Sequence, residues 1–103
     1  MTLSPLIVAA AQPRIVVGDL AANVAAHAEV VRATGARLLV FPEMSLTGYE
    51  LDALDVSPDD PALEPLIAAC READAVALVG APLDWAGAER IGVLIVTGDG
   101  VRP

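Results

Sequence analysis

A short apolar run that ends at a proline constrains this chain more than any other feature of its sequence. Residues 37–41, with the sequence RLLVF, favour a strand, and Pro42 lacks the N–H group that would continue hydrogen bonding between strands. The run therefore predicts a strand that stops at Phe41. Glu43 follows directly, so its carboxylate is expected at the carboxyl end of a strand, where open α/β sheets bind their ligands.

The carboxylate of Glu43 has two interpretations on the residues alone. Carboxylates that follow strands are most often solvated or cap the next helix. The functional alternative is a catalytic role for this ionisable side chain. Phe41, Met44 and Tyr49 lie close in the sequence, and we expect them to shield the carboxylate from water, an environment that suits proton transfer.

Three other apolar runs predict strands, and two intervening segments predict helices. The runs are bounded by turn residues and comprise residues 6–11, 75–83 and 91–97. The first helix is expected between Asp19 as the N-cap and Gly35 as the stop. The second is expected over residues 61–73, beginning at Pro61.

The predicted order of elements is βαβαββ, which indicates an α/β fold. Helical crossovers make the first three strands parallel, whereas a short loop around Trp85 and a turn at Asp99-Gly100 predict antiparallel pairing further on. Residues 45–65 are polar and rich in proline, so they predict a loop beside the carboxyl edge of the sheet. We therefore expect a mixed sheet with helices on one face.

Composition excludes several classes of function. The net charge is −8 and all six cations are arginines, without a basic cluster, so we expect neither nucleic acid nor an anionic membrane as a partner. No apolar run approaches the roughly 20 residues of a membrane helix. The first residues lack the basic segment of a signal peptide, which favours a cytoplasmic protein. One cysteine and no Cys/His grouping predict neither a disulfide nor a metal site.

Two other side chains could be mistaken for catalytic groups. His27 lies at helical spacing between Val24 and Val31, and we interpret it as a residue at the boundary of that apolar face rather than as a base. Cys70 lies on the apolar stripe of the second helix. Reactive thiols lie in electropositive, partly exposed turns, so we interpret Cys70 as a core residue and not as a nucleophile.

The segment FPEMSLTGY, residues 41–49, resembles the glutamate motif of the carbon–nitrogen hydrolases, the nitrilase superfamily of amidases, carbamoylases and nitrilases. Residues 9–24 resemble that family's first strand and glutamine-containing turn, and residues 74–83 resemble its third strand. The resemblance covers essentially the whole chain but only the amino-terminal part of the family's fold, so it implies an incomplete αββα-type sandwich. It also implies that Glu43 is the general base of a Glu–Lys–Cys triad, that Tyr49 lines the substrate pocket, and that no cofactor takes part.

The other two members of that triad are missing from this sequence. It contains no lysine, and Cys70, its one cysteine, is expected in the core. The resemblance therefore implies residues 1–103 of a larger enzyme that cleaves non-peptide C–N bonds in a small amide, carbamoyl or nitrile substrate, with this part inactive alone. The alternative is a self-standing, non-catalytic α/β module that binds a partner. A reading frame that continues past Pro103 into a lysine motif and a strand-end cysteine would favour the enzyme.

The apolar strands also predict how the chain behaves alone. Residues 6–11, 75–83 and 91–97 are apolar on both faces of the sheet, while the predicted helices cover one face. The other face should present an apolar patch above the few hundred Å² that soluble monomers usually expose. We therefore expect self-association or a homo-oligomer.

Overall fold

The computed structural model describes residues 4–49 and 55–103, so residues 50–54 of the predicted polar loop lie outside the described residues. Within these described residues, five strands form one sheet, in chain order, with two α-helices and one short 3₁₀ turn. The elements are β1 (Val8–Ala10), α1 (Leu20–Thr34), β2 (Leu38–Val40), the 3₁₀ turn (Pro61–Leu63), α2 (Glu64–Ala73), β3 (Val76–Trp85), β4 (Ala88–Thr97) and β5 (Gly100–Arg102).

The sheet is mixed, as the sequence predicted. β1 and β2 pair in parallel, as do β2 and β3, whereas β4 runs antiparallel to both β3 and β5. A fold of α/β character, consistent with an incomplete sandwich, is therefore confirmed. The structure adds β5, which the order βαβαββ did not include, because three residues are too few to give a periodic signal. The turn before β5 is Gly98-Asp99, one residue earlier than the predicted Asp99-Gly100, since Thr97 pairs with Gly100.

The predicted loop around Trp85 is wrong, because β3 and β4 form a longer hairpin than expected. Trp85 is the last residue of β3 and pairs with Ala88. The turn between them is only Ala86-Gly87, with φ of 54° and 78°. Two successive positive φ values match the twist of a two-residue hairpin, which lets both strands extend to the tip.

Both helices begin and end near the predicted residues. The Asp19 carboxylate accepts a hydrogen bond from the backbone N–H of Ala22, and Gly35 ends α1 with φ of 70°. The second helical segment begins at Pro61 as a 3₁₀ turn and continues as α2 to Ala73. The predicted span of residues 61–73 is therefore confirmed, with a tighter first turn.

The hydrophobic core lies between the two helices and one face of the sheet. Its fully buried side chains come from every layer, among them Val24, Val31, Leu39, Leu66, Val79, Leu94 and Val96. Successive side chains on a strand point to opposite faces, so the register places Val8, Val40, Ile91 and Val93 on the other face. These four are between 41% and 61% exposed, which agrees with the expected apolar sheet face.

The turn after β2 packs directly on β3. The backbone N–H of Phe41 donates to the Leu78 carbonyl at 2.9 Å, and that of Leu46 donates to the Gly80 carbonyl at 3.0 Å. A Cβ atom at Gly80 would lie 2.5 Å from the Pro42 carbonyl oxygen and 2.8 Å from the carbonyl carbon of Glu43. Glycine is therefore required at position 80 for the turn to approach the strand.

We expect Gly80→Ala to lower the free energy of unfolding by about 1 to 3 kcal/mol, because the added methyl group meets backbone that must shift as a unit. Gly92→Ala, in the neighbouring strand, is the matched control: the three atoms nearest its methyl group all belong to the Leu83 side chain, which can change rotamer, and not to backbone. Urea unfolding of both variants checks this expectation. Equal losses in the two proteins would show that the approach of the turn to β3 does not matter.

Candidate active site

Glu43 lies in a compact turn at the carboxyl edge of the sheet. The parallel strands β1 and β2 end at Ala10 and Val40, and residues 42–48 fold back immediately afterwards. Within this segment, called the glutamate turn from here on, the Ser45 N–H donates to the Pro42 carbonyl at 3.1 Å and the Gly48 N–H donates to the Met44 carbonyl at 2.7 Å. Glu43 therefore occupies the edge that the sequence predicted.

The side chain of Glu43 is exposed, and Tyr49 is its partner. The Tyr49 hydroxyl donates a hydrogen bond to Oε2 of Glu43. This bond, with smaller contributions from desolvation and from the carboxylate charge, raises the pKa of Tyr49. The ring of Tyr49 is itself 65% exposed, so both groups of this pair face solvent at the edge of the sheet.

The prediction that neighbouring side chains shield the Glu43 carboxylate from water is wrong for the described residues. Phe41 and Met44 are buried, whereas the carboxylate between them in the sequence is exposed. The two apolar side chains pack into the protein, and Phe41 joins the hydrophobic core. Burying Glu43 with them would require an ionised group to lose its hydration, so the turn leaves the carboxylate on the outside.

His27 is not a boundary residue, and that interpretation is wrong. Its side chain is completely buried and stacks on the Phe41 ring, with centroids 4.3 Å apart. Nδ1 lies 2.6 Å from the backbone carbonyl oxygen of Asn23, and Nε2 lies 2.9 Å from Oγ of Ser45. Both ring nitrogens thus have partners inside the protein, which is why a polar ring can occupy the apolar face.

The hydrogen bonds of His27 determine which nitrogen carries its proton. A carbonyl oxygen can only accept, so Nδ1 must donate to Asn23. In the neutral ring Nε2 then accepts from the Ser45 hydroxyl, whose oxygen in turn accepts from the Gly80 N–H at 3.3 Å. Burial lowers the pKa of His27, against a smaller opposing effect of the bond to Asn23, and the ring is neutral near pH 7.

Asn23 is a second buried polar residue that the sequence analysis missed. Its Oδ1 accepts from the Val16 N–H at 2.7 Å, and its Nδ2 donates to the carbonyls of Val16 and Leu46, each at 2.8 Å. One side chain of α1 therefore ties the segment before the helix to the glutamate turn. The available signal was a pair of polar residues, Asn23 and His27, one turn apart on an otherwise apolar helix face.

Cys70 is confirmed as a core residue. It is 1% exposed, and desolvation raises the pKa of its thiol, against a smaller effect of a hydrogen bond with the Ala77 backbone. Its carbonyl accepts from the N–H of Ala75, next to the start of β3 at Val76. Four residues of strand, roughly 13 Å, separate that start from Gly80, so Cys70 and the glutamate turn lie at opposite edges of the sheet.

A shallow apolar depression of about 260 Å³ lies where β1 and β2 end. It is lined by Ala10, Ala11, Gln12, Val40, Phe41 and Pro42, and so adjoins the glutamate turn. Depressions of about 560 and 620 Å³ lie elsewhere, the first of them beside Cys70. Their size does not make them better candidates, because neither is lined by a residue of the glutamate turn.

Two further observations concern metal ligands and membrane-spanning helices. Within residues 4–49 and 55–103, no three or more His, Cys, Asp or Glu side chains come together as metal ligands would. Among the helices described, none is long and apolar enough to cross a membrane.

The class of protein is α/β, with a mixed sheet and helices on one face. Its candidate active site is a carboxylate on a turn at the carboxyl edge of that sheet. Comparison with known families identifies the group within that class. The family described as carbon-nitrogen hydrolase matches residues 7–98, and the chain belongs to this family. The resemblance seen in the glutamate motif is thereby confirmed.

Solved structures give the same fold. Among the similar chains is a glutamine-dependent NAD(+) synthetase from Cytophaga hutchinsonii, with a TM-score of 0.67 and 22% sequence identity. The match covers 96% of this chain and 18% of that one, so the present chain spans less than a fifth of the length of its structural neighbour. Comparison with curated protein sequences gives no significant match.

The buried neutral His27 predicts a pH dependence of stability. Its folded pKa lies below the ordinary value of 6.5, so the unfolded chain binds this proton at higher pH than the folded protein. The contribution of the neutral His27 ring to the free energy of unfolding is fully present above about pH 6.5. It falls as the pH drops towards the lowered pKa, by at most about 1.4 kcal/mol per pH unit. His27→Leu should remove this contribution.

Urea unfolding between about pH 8 and pH 5 measures that contribution. The wild-type protein should lose stability relative to His27→Leu only below about pH 6.5, while the acid lability due to carboxylates is common to both and cancels in the difference. A difference between the two proteins that stays constant over the whole range would contradict the prediction.

Cys70 should be unreactive in the folded protein, because its thiol is buried and its thiolate disfavoured. Peptide mapping after treatment with a thiol-alkylating reagent should find Cys70 modified only when urea is present. Cys70→Ala should cost about 1 kcal/mol of stability and leave any catalytic activity intact. Labelling of Cys70 in the native protein, or loss of activity in a stably folded Cys70→Ala variant, would contradict the prediction and favour Cys70 as a nucleophile.

Proposed function

We propose that this chain supplies the general base, Glu43, of an enzyme that hydrolyses non-peptide C–N bonds in small amide, carbamoyl or nitrile substrates. The observation that supports this most is the place of Glu43: an exposed carboxylate on an internally hydrogen-bonded turn at the carboxyl edge of the sheet, hydrogen-bonded by Tyr49. Membership of the carbon-nitrogen hydrolase family supports the type of reaction.

In the proposed reaction Glu43 takes the proton of a cysteine thiol as the sulfur attacks the carbon of the C–N group. For an amide or carbamoyl substrate, the proton passes to the nitrogen as the C–N bond breaks, which releases the amine or ammonia and leaves a thioester. Glu43 then takes a proton from water, and the hydroxide formed attacks the thioester. The proton returns to the sulfur as the acid is released, and both carboxylate and thiol are regenerated.

The nucleophile and the cation that stabilises the negative charge are proposed to lie outside these 103 residues. The chain has no lysine, and Cys70 is buried at the opposite edge of the sheet. We infer that this chain alone does not catalyse the reaction.

Tyr49 is proposed to orient Glu43 and to line the substrate pocket. Its hydroxyl occupies one carboxylate oxygen, Oε2, which leaves Oε1 to accept a proton. The ring is exposed beside the carboxylate, where an apolar part of a substrate could pack on it. The apolar depression lined by Val40 and Phe41 extends the same edge.

The exposed apolar face of the sheet is the observation that favours the second candidate, a binding module. Val8, Val40, Ile91 and Val93 offer an apolar surface to a partner, to a second copy or to further parts of the same protein. We propose that this face is covered in the working protein. The binding module needs no particular residue at position 43, so replacement of Glu43 discriminates between the two candidates.

In the complete protein, Glu43→Gln should lower the rate of acylation by on the order of 10² to 10⁴, because glutamine keeps the shape but cannot take a proton. Single-turnover assays with short aliphatic amides and their carbamoyl counterparts measure this step. Asp84→Asn is the matched control, since it removes one exposed carboxylate at the end of β3. Equal activity of Glu43→Gln and wild type would exclude the base assignment.

A further inference from the structure

The glutamate turn is held in place by a chain of hydrogen bonds that starts inside α1. The Asn23 carbonyl accepts from Nδ1 of His27, Nε2 of His27 accepts from the Ser45 hydroxyl, and Oγ of Ser45 accepts from the Gly80 N–H. The chain links a helix, the glutamate turn and β3. Ser45 is two residues from Glu43.

We propose that His27 is a positioning residue for Glu43, which holds the glutamate turn against β3 through the hydroxyl of Ser45. This proposal rests on the role proposed above for Glu43. The hydrogen bonds of His27 go to the Asn23 backbone and to Ser45 rather than to the Glu43 carboxylate, so His27 acts on the base through the glutamate turn.

The conformation of the glutamate turn explains why it needs such a restraint. Met44, directly after Glu43, has φ of 58°, a left-handed conformation that side-chain-bearing residues rarely adopt. Such a backbone persists only where its surroundings enforce it. The hydroxyl of Ser45 supplies one restraint and the Leu46 N–H, bonded to the Gly80 carbonyl, supplies another.

Packing alone does not account for a histidine at this position. Its ring is wholly buried between α1 and the turn, and a leucine would fill such a site without having to desolvate two polar nitrogens. What histidine adds is an acceptor for the Ser45 proton at Nε2, together with a donor at Nδ1 that fixes the ring on α1. The groups that bond to or stack on the ring, from Asn23, Ser45 and Phe41, are neutral.

A double-mutant cycle between His27 and Ser45 tests the proposal in the complete protein. Hydrolysis of a short aliphatic amide is followed, and kcat and KM are measured separately. We expect His27→Leu and Ser45→Ala each to lower kcat by about 10 to 100-fold, since a displaced base costs rate, with KM changed by less than about threefold. Because both act through one hydrogen bond, the double variant should be no slower than the slower single variant.

Two further variants separate positioning from general destabilisation. His27→Gln places an amide oxygen where it can accept the Ser45 proton, so it should regain about tenfold in kcat over His27→Leu. Val31→Ala, one turn further along α1 and equally buried, should lower stability but leave kcat unchanged. Additive losses in the double variant, no rescue by glutamine, or an equal loss of kcat in Val31→Ala would overturn the proposal.

Amide hydrogen exchange keeps this test independent of the assignment of Glu43. In His27→Leu, exchange at the amides of Ser45, Leu46 and Gly80 should be at least about tenfold faster than in Val31→Ala, relative to the amides of α2. Unchanged exchange at these amides would show that His27 does not hold the glutamate turn against β3. If exchange responds as expected while Glu43→Gln stays fully active, the positioning is established and the proposed function is the part that fails.

Discussion

β2 has three residues and its neighbour β3 has ten. The edge of β3 that faces β2 therefore needs other hydrogen-bond donors beyond the end of β2. Successive outward carbonyls on that edge, those of Leu78, Gly80 and Pro82, accept in turn from the N–H groups of Phe41, Leu46 and Val56. The first donor directly follows β2, the second comes from the glutamate turn, and the third from the segment that precedes the 3₁₀ turn. Satisfying this buried edge is what brings the turn, and Glu43 with it, to its place.

The polar residues beneath the glutamate turn help to specify its position. Asn23 and His27 are both fully buried, and the described buried side-chain nitrogen and oxygen atoms all have hydrogen-bond partners. A fully satisfied network in a low-dielectric interior specifies one arrangement, because every alternative leaves a polar group unpaired. The carboxylate above it is exposed and meets only Tyr49 among the described side chains, which is compatible with a group that must exchange protons.

The two faces of the sheet and its carboxyl edge have different roles. One face packs on α1 and α2, the opposite face exposes Val40 and Val93, and the candidate chemistry lies at the carboxyl edge between them. Family membership covers residues 7–98, and the structural likeness to a glutamine-dependent NAD(+) synthetase extends over 96% of this chain at 22% identity. At that identity the likeness describes the fold, and the assignment of roles rests on the residues themselves.

The sequence by itself determined the features that depend on neighbouring residues. Asp19 and Gly35 bound the first helix, helical spacing buries Cys70, and Glu43 follows a strand end, although that strand stops at Val40, one residue before the predicted Phe41. These signals act over a few residues, so local propensity decides them.

Only the tertiary structure decided the environment of Glu43 and the burial of His27. Ser45 meets His27 across 18 positions of the chain and Gly80 across 35, separations over which no periodic pattern carries information. The physical reason is that a polar side chain can enter the core only when its partners are already placed there, and those partners come from elements that the fold, not the local sequence, brings together.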